Sequence, residues 1–275
     1  MLLLTVFGQL SVMAQADTEQ GRRGIPTSLN GVGVEEKLGE FLPWEAVFVD
    51  SEGQEVTIGQ YLDRDRPVLL NFLYHNCPML CSINLEALGQ TLSEMDWTPG
   101  REFDVISVSF GAGETPEMAA RARDRMLAKL DREEAADGWH FLVGDSANVH
   151  LLTDAVGYSF KWVASTQEYA HPAVLVFAGS DGKVTRYLHG LDLPADDVRK
   201  ALVEASEGTV GTVMDQVLMY CYQYDPGSNS YVLHATNLMK LGGFFTLMLM
   251  GVGLFVFWRR ERDGQARRVP HPVSG

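Results

Sequence analysis

Positive charge is scarce in this chain. Its 275 residues hold 22 lysines and arginines against 36 aspartates and glutamates, a net charge of −14 with neutral histidines. Five of those bases, Arg259, Arg260, Arg262, Arg267 and Arg268, are crowded into the last stretch, so the remainder is more acidic still. Nucleic-acid binding needs a basic surface to neutralise phosphates, and none is suggested here. Cysteine is sparse too, with only Cys77, Cys81 and Cys221. Three thiols permit disulfide chemistry without requiring it at any pair. The apolar start, Leu2 to Phe7, lacks a basic flank, yet it leads to Ala14-Gln15-Ala16, a small-x-small cleavage pattern. Residues 1–16 therefore read as a signal peptide.

At the other end, Leu241 to Trp258 runs for eighteen residues without a charge. Counted from Leu238, the run is long enough to cross a bilayer, with Lys240 able to snorkel. The arginines that follow form a positive-inside flank. The expected layout is a signal peptide at 1–16, a lead-in linker at 17–39, a folded domain at 40–208, a juxtamembrane segment at 209–237, a transmembrane helix at 238–258 and a basic cytoplasmic tail at 259–275. That places a single-pass protein in the inner membrane with its domain on the periplasmic side.

The rest of the chain is organised around Asn71-Phe72-Leu73-Tyr74-His75-Asn76-Cys77-Pro78-Met79-Leu80-Cys81. Val68 to Tyr74 reads as a buried strand. Pro78 suits the first turn of a helix, since it has no amide proton to leave unpaired. From Met79 to about Met95, apolar residues recur at helical spacing: Leu80, Ile83, Leu85, Leu88 and Leu92. Cys77 thus sits at a helix start, where the helix end favours its thiolate, and Cys81 lies one turn on along the same face. Two soft anionic ligands so close can hold a soft metal such as Cu(I), exchange as a thiol-disulfide pair, form a structural disulfide or simply pack.

Further along, residues 45–50 and 55–58 read as a hairpin, Phe103–Phe110 as a second strand, and Thr115-Pro116 as a helix start running to about Arg132. Trp139–Val143 reads as a third strand, and Ser146 as the cap of a helix that Gly157 ends. The stretch from Tyr158 to Glu168 is polar and aromatic without clear periodicity. Ala173–Ala178 is a buried strand, Ser180-Asp181-Gly182-Lys183 turns it into a partner, and residues 196–207 close with a helix. Strands alternating with helices predict an α/β fold: a thioredoxin-like three-layer domain with an N-terminal extension and a C-terminal transmembrane helix.

In that arrangement His171-Pro172 lies beside the start of the cysteine helix. His171 can supply a neutral imidazole to a Cys₂His site, or it can be a half-buried histidine bonded to backbone. His75 is a rival ligand or a partner-facing group, Met79 a weak thioether or a packing residue, and Asp145 an acid near the site or a helix cap. His140, His150 and His189 read as ordinary structural or surface residues. Cys221, among tyrosines before the span, is a copper relay, an intermolecular disulfide or a small lipid-facing residue.

With these residues the chain resembles the Sco/SenC family of copper-binding thioredoxin-like proteins. The features that carry the likeness are the apolar strand into Cys77-Pro78-Met79-Leu80-Cys81, and His171 ahead of the strand and the Asp181-Gly182 turn. The resemblance covers roughly residues 36–206. It implies copper, as Cu(I) or Cu(II), held by Cys77, Cys81 and His171. It also implies a membrane-tethered metallochaperone serving a copper apoprotein such as a membrane-bound oxidase subunit. The alternative it carries is a thiol-disulfide reductase, in which Cys77 attacks and Cys81 resolves, keeping the cysteines of that apoprotein reduced. Three features depart from the family pattern: a C-terminal rather than N-terminal span, Ser109-Phe110 in place of an Asp-Pro pair, and no proline after Cys81. They bear on the client more than on the ligand set.

Overall fold

The computed structural model describes residues 30–62, 64–75, 80–207, 222–225, 227, 229–233 and 235–266. The expected signal peptide, most of the lead-in, Cys77, Pro78, Met79 and Cys221 lie outside them.

Two apolar strands form the centre. β4 (Val68–Leu73) and β5 (Asp104–Ser109) are buried along their whole length and pair in parallel. β6 (Trp139–Val143) continues the parallel run beside β5. The edges are antiparallel: β10 (Val174–Ala178) and β11 (Val184–His189) extend from β4, and β2 (Val47–Asp50) and β3 (Glu55–Thr57) extend from β6. The seven-stranded order is β11-β10-β4-β5-β6-β2-β3. Burial on both faces explains the near-continuous apolar strands at the centre.

Three helices cover one face. α2 (Leu80–Glu94) lies between α3 (Pro116–Leu130) and α5 (Ala195–Ala205) and contacts both. Leu85, Leu88 and Leu92 form its inner side, whereas Ile83, expected there, is half exposed. α3 ends at Leu130, not at Arg132, because Asp131 turns left-handed (φ 52°) and returns its N–H to the Leu127 carbonyl. The other face carries α1 (Gly59–Leu62), α4 (Ser146–Ala155) and β7 (Tyr158–Ser159), with Phe72 against Tyr158 at 4.5 Å. The cap of α4 is Asp145, not Ser146: its carboxylate accepts from the Asn148 N–H at 2.8 Å.

The polar-aromatic stretch resolves into short strands. β7 pairs with β1 (Gly33–Val34), and β8 (Lys161–Val163) pairs with β9 (Glu168–Ala170). Gly157 makes the first pairing possible: at φ 63°, a Cβ there would meet the Glu35 carbonyl oxygen at 1.9 Å. The N-terminal extension is thereby tied to the domain, with Glu35 N–H donating to the Gly157 carbonyl and Lys37 N–H to the Tyr187 hydroxyl.

A second hairpin follows the domain. β12 (Tyr222–Asp225) and β13 (Ser230–Leu233) pair antiparallel, and their tyrosines face protein. Tyr224 and Tyr231 are buried; the Arg186 guanidinium lies 4.3 Å from the Tyr224 ring, and the Tyr231 hydroxyl donates to Glu204 at 2.7 Å. α6 (Ala235–Ala266) then contains Gly242–Arg259, an exposed segment of mean hydropathy 1.5 that is long and apolar enough to cross a membrane.

Candidate metal centre

β4 delivers the chain to the motif. Its one polar inward residue, Asn71, accepts from the Ser107 hydroxyl at 2.6 Å, and Ser107 in turn accepts from the Trp139 indole at 2.9 Å, so the strand carries no unsatisfied group there. Tyr74, just past the strand, is buried. Cys77 is outside the described residues. Cys81 is the second residue of α2, and its side chain is likewise outside them.

His171 arrives from the neighbouring strand. β10 runs antiparallel to β4, with Leu175 opposite Asn71. Carried on to the strand ends, that register sets His171 abreast of His75, two residues before Cys77. The rings agree: His171 stands 6.0 Å from Tyr74, edge to face, and 5.3 Å from Phe110. Ser109-Phe110 therefore contributes a buried aromatic wall, while the Ser109 hydroxyl donates to the Glu114 carboxylate.

The His171 ring is half-buried, and burial pushes its pKa below the usual histidine value. Its Nδ1 lies 3.1 Å from the Pro172 carbonyl oxygen and 3.2 Å from the Tyr158 hydroxyl. A carbonyl only accepts, so that contact favours the proton on Nδ1. A neutral ring protonated at Nδ1 has its lone pair on Nε2, the form a soft metal takes.

His75 is also half-buried. Burial lowers its pKa, with Glu114 opposing, and its Nε2 finds no hydrogen-bond partner among the described residues. The other candidates serve structure. His140 lies far away at the opposite end of the sheet, 3.8 Å from the buried Asp104 carboxylate and against the Tyr61 ring at 4.2 Å. His150 stacks on Phe160 at 5.4 Å. His189 has a partner that sequence did not reveal: its Nε2 pairs with Glu36 at 2.9 Å. Asp145 is the helix cap. Among the described residues no three His, Cys, Asp or Glu side chains gather as a metal site; two of the three expected ligand side chains belong to the motif outside them.

Sequence reasoning missed the aromatic surround. Phe110, Phe160, Trp162 and Tyr169 line a cleft of about 490 Å³ next to His171, with Asp145 and His150 at its side. The signal was the density of aromatics between Tyr158 and Tyr169, which had no period to give it a face.

No curated protein matches the chain significantly. Solved structures do. A protein of Aquifex aeolicus VF5 named for electron transfer is 23% identical over 63% of this chain and 96% of its own, with a TM-score of 0.56. A second from that organism, named for electron transport, is 23% identical over 62% and 98%, with a TM-score of 0.50. Bradyrhizobium japonicum ScoI, solved with copper bound, is 19% identical over 61% and 99%, with a TM-score of 0.45. At such identities the first two likenesses speak to the fold, which is thioredoxin-like. The SCO1/SenC family model matches residues 43–206, more than half of the sequence, and the chain belongs to that family.

Proposed function

We propose that this protein is a membrane-anchored copper metallochaperone that delivers copper to the copper centre of a respiratory oxidase. Cys77, Cys81 and His171 hold the cargo. The observation that supports this reading is the Tyr74–His171 contact at the exit of β4, which sets a neutral imidazole beside the strand that leads into the cysteine motif. Two thiolates and one imidazole suit Cu(I), a soft ion with no demand for high coordination number. The thiols must be reduced and must lose their protons to bind, so loading is coupled to redox state and pH. An acceptor takes the ion by replacing these ligands one at a time.

The layout follows the same reading: a signal peptide at 1–16, a lead-in at 17–39, the domain at 40–208, a juxtamembrane segment at 209–237, a single span at 238–258 and a cytoplasmic tail at 259–275, with the domain in the periplasm. The anchor raises the local concentration of cargo near a membrane-bound acceptor.

The test is a Cu(I) titration of the reduced protein beside Cys77→Ala, Cys81→Ala and His171→Ala. Tight binding by the parent and weakened binding by each variant is expected. Equal tight binding by all four overturns the site. Loss on removing either cysteine but not His171 leaves a thiol pair acting by disulfide exchange, and a mixed disulfide trapped in Cys81→Ser would identify that chemistry.

A further inference from the structure

We infer that Tyr158 is a positioning residue for His171, selecting the imidazole tautomer that leaves Nε2 for the metal. The inference rests on the reading of His171 as a ligand. It deepens that reading by naming what sets the ligand atom.

The geometry is a closed triangle. The Tyr158 hydroxyl donates its one proton to the Pro172 carbonyl at 3.2 Å. Its oxygen lies 3.2 Å from His171 Nδ1, and that nitrogen lies 3.1 Å from the same Pro172 carbonyl. With the hydroxyl proton committed to the carbonyl, the phenol presents lone pairs to the ring. Nδ1 therefore faces two acceptors, and a bare nitrogen there would face two repulsions. The proton goes to Nδ1, and Nε2 keeps its lone pair.

The phenol is itself held fast. Tyr158 is 2% exposed, and its ring packs on Phe72 at 4.5 Å, on Phe110 at 6.0 Å and on Phe160 at 6.3 Å. Its backbone is pinned by pairing with Val34 of the N-terminal extension. The tyrosine can neither swing away nor reach water, so its oxygen is a fixed feature of the imidazole's surroundings. Partners of this kind orient metal-binding histidines and tune their basicity. Here the partner comes from β7, which has no other evident claim on the site.

The test uses the full chain in detergent, reduced and metal-free, with ¹⁵N-labelled histidine. The His171 signals are identified by their loss in His171→Gln. In the parent, the ¹⁵N shifts should report a neutral ring protonated at Nδ1. Tyr158→Phe keeps the aromatic packing and removes only the hydroxyl. It should move the shifts toward a mixture of tautomers and weaken Cu(I) binding about 10-fold, with the circular-dichroism spectrum unchanged. A parent ring protonated at Nε2 overturns the inference without any variant having to fold. So do unchanged shifts and affinity in Tyr158→Phe. If instead the parent shows the Nδ1 tautomer and Tyr158→Phe disturbs it, while His171→Gln leaves Cu(I) binding intact, the positioning role stands and the ligand reading fails.

Discussion

Acidification tests how the histidines are buried, and its sign follows from the structure. His75, His140 and His171 all have pKa values pushed below the ordinary histidine value, burial being the first cause in each. At His140 the Asp104 carboxylate pulls the other way without winning. A group whose folded pKa is depressed stays neutral in the native state while it is already protonated in the unfolded chain. The unfolded state then binds more protons, so stability falls as pH drops through about 6.5. His140, the most enclosed, contributes at most about 1.4 kcal/mol per pH unit. His75 and His171 are more open to water and contribute less. A loss of about 2 kcal/mol over the first unit below about pH 6.5 is expected, a large part of a typical stability. The assay is urea unfolding of the reduced, metal-free protein at closely spaced pH values. The midpoint should fall at constant slope, and His140→Gln should flatten the dependence. Glu117 and Asp145, held low by hydrogen bonds, lose their contribution only below about pH 4.5, outside this window. Stability that is flat or rises between about pH 6.5 and 5.5 would refute the argument. The same sign has a consequence for cargo. Under the proposed ligand set, a depressed pKa keeps the His171 ring neutral in mild acid, and proton competition for Cu(I) near pH 6 would fall on the thiols.

Two further outcomes follow from the ion pairs. Asp104 is fully buried and accepts from Arg66 through Nε and Nη2, both at 3.1 Å; Asp104→Ala leaves that guanidinium only the Gly100 carbonyl among the described residues and should cost about 3 kcal/mol by chemical denaturation, while Asp104→Leu with Arg66→Met should recover most of it. A loss of less than about 1 kcal/mol at Asp104→Ala in the full-length protein would show that the pair is not what holds β5 to the Arg66 loop. Tyr231→Phe removes a 2.7 Å hydrogen bond to the Glu204 carboxylate, about 1.5 kcal/mol of hairpin docking. Amide exchange over residues 222–233 should speed up roughly 10-fold, and unchanged protection would mean that the apolar contacts alone seat the hairpin.

What the sequence revealed and what it hid divide along local and non-local physics. Val68–Leu73 and Val174–Ala178 were legible because a strand buried on both faces is apolar at nearly every position, Asn71 being the exception. The helix after the cysteines was legible from Leu85, Leu88 and Leu92, though Ile83 falls on its outer side. Caps were half legible: Asp145 and Ser146 are adjacent and both able, and only the direction of the backbone decides that the aspartate reaches Asn148. The short strands between Tyr158 and Ala170 were hidden because each is two or three residues long, too short to show a period. Their partners are also remote: Tyr158 pairs with Val34. The second hairpin was hidden for another reason. Its tyrosines read equally well as membrane-interface residues, and only Arg186, Glu204 and Lys200 on the domain make them a docking face.

The position of His171 follows from strand direction more than from anything near it in sequence. β4, β5 and β6 run parallel, so their C-terminal ends open at one edge of the sheet, and the cysteine motif leaves from that edge. β10 is antiparallel to β4, so its beginning, not its end, lies there. Any residue just ahead of β10 therefore stands beside the exit of β4, however long the chain between them. Were β10 parallel, the same edge would receive the Ala178 end and the Asp181-Gly182 turn, and the imidazole would be carried to the far side of the sheet with Asp104. A histidine just ahead of a buried strand is thus informative only once that strand's direction is known, and here the direction is given by the pairing of β10 with β4, Leu175 opposite Asn71 and Ala178 opposite Val68.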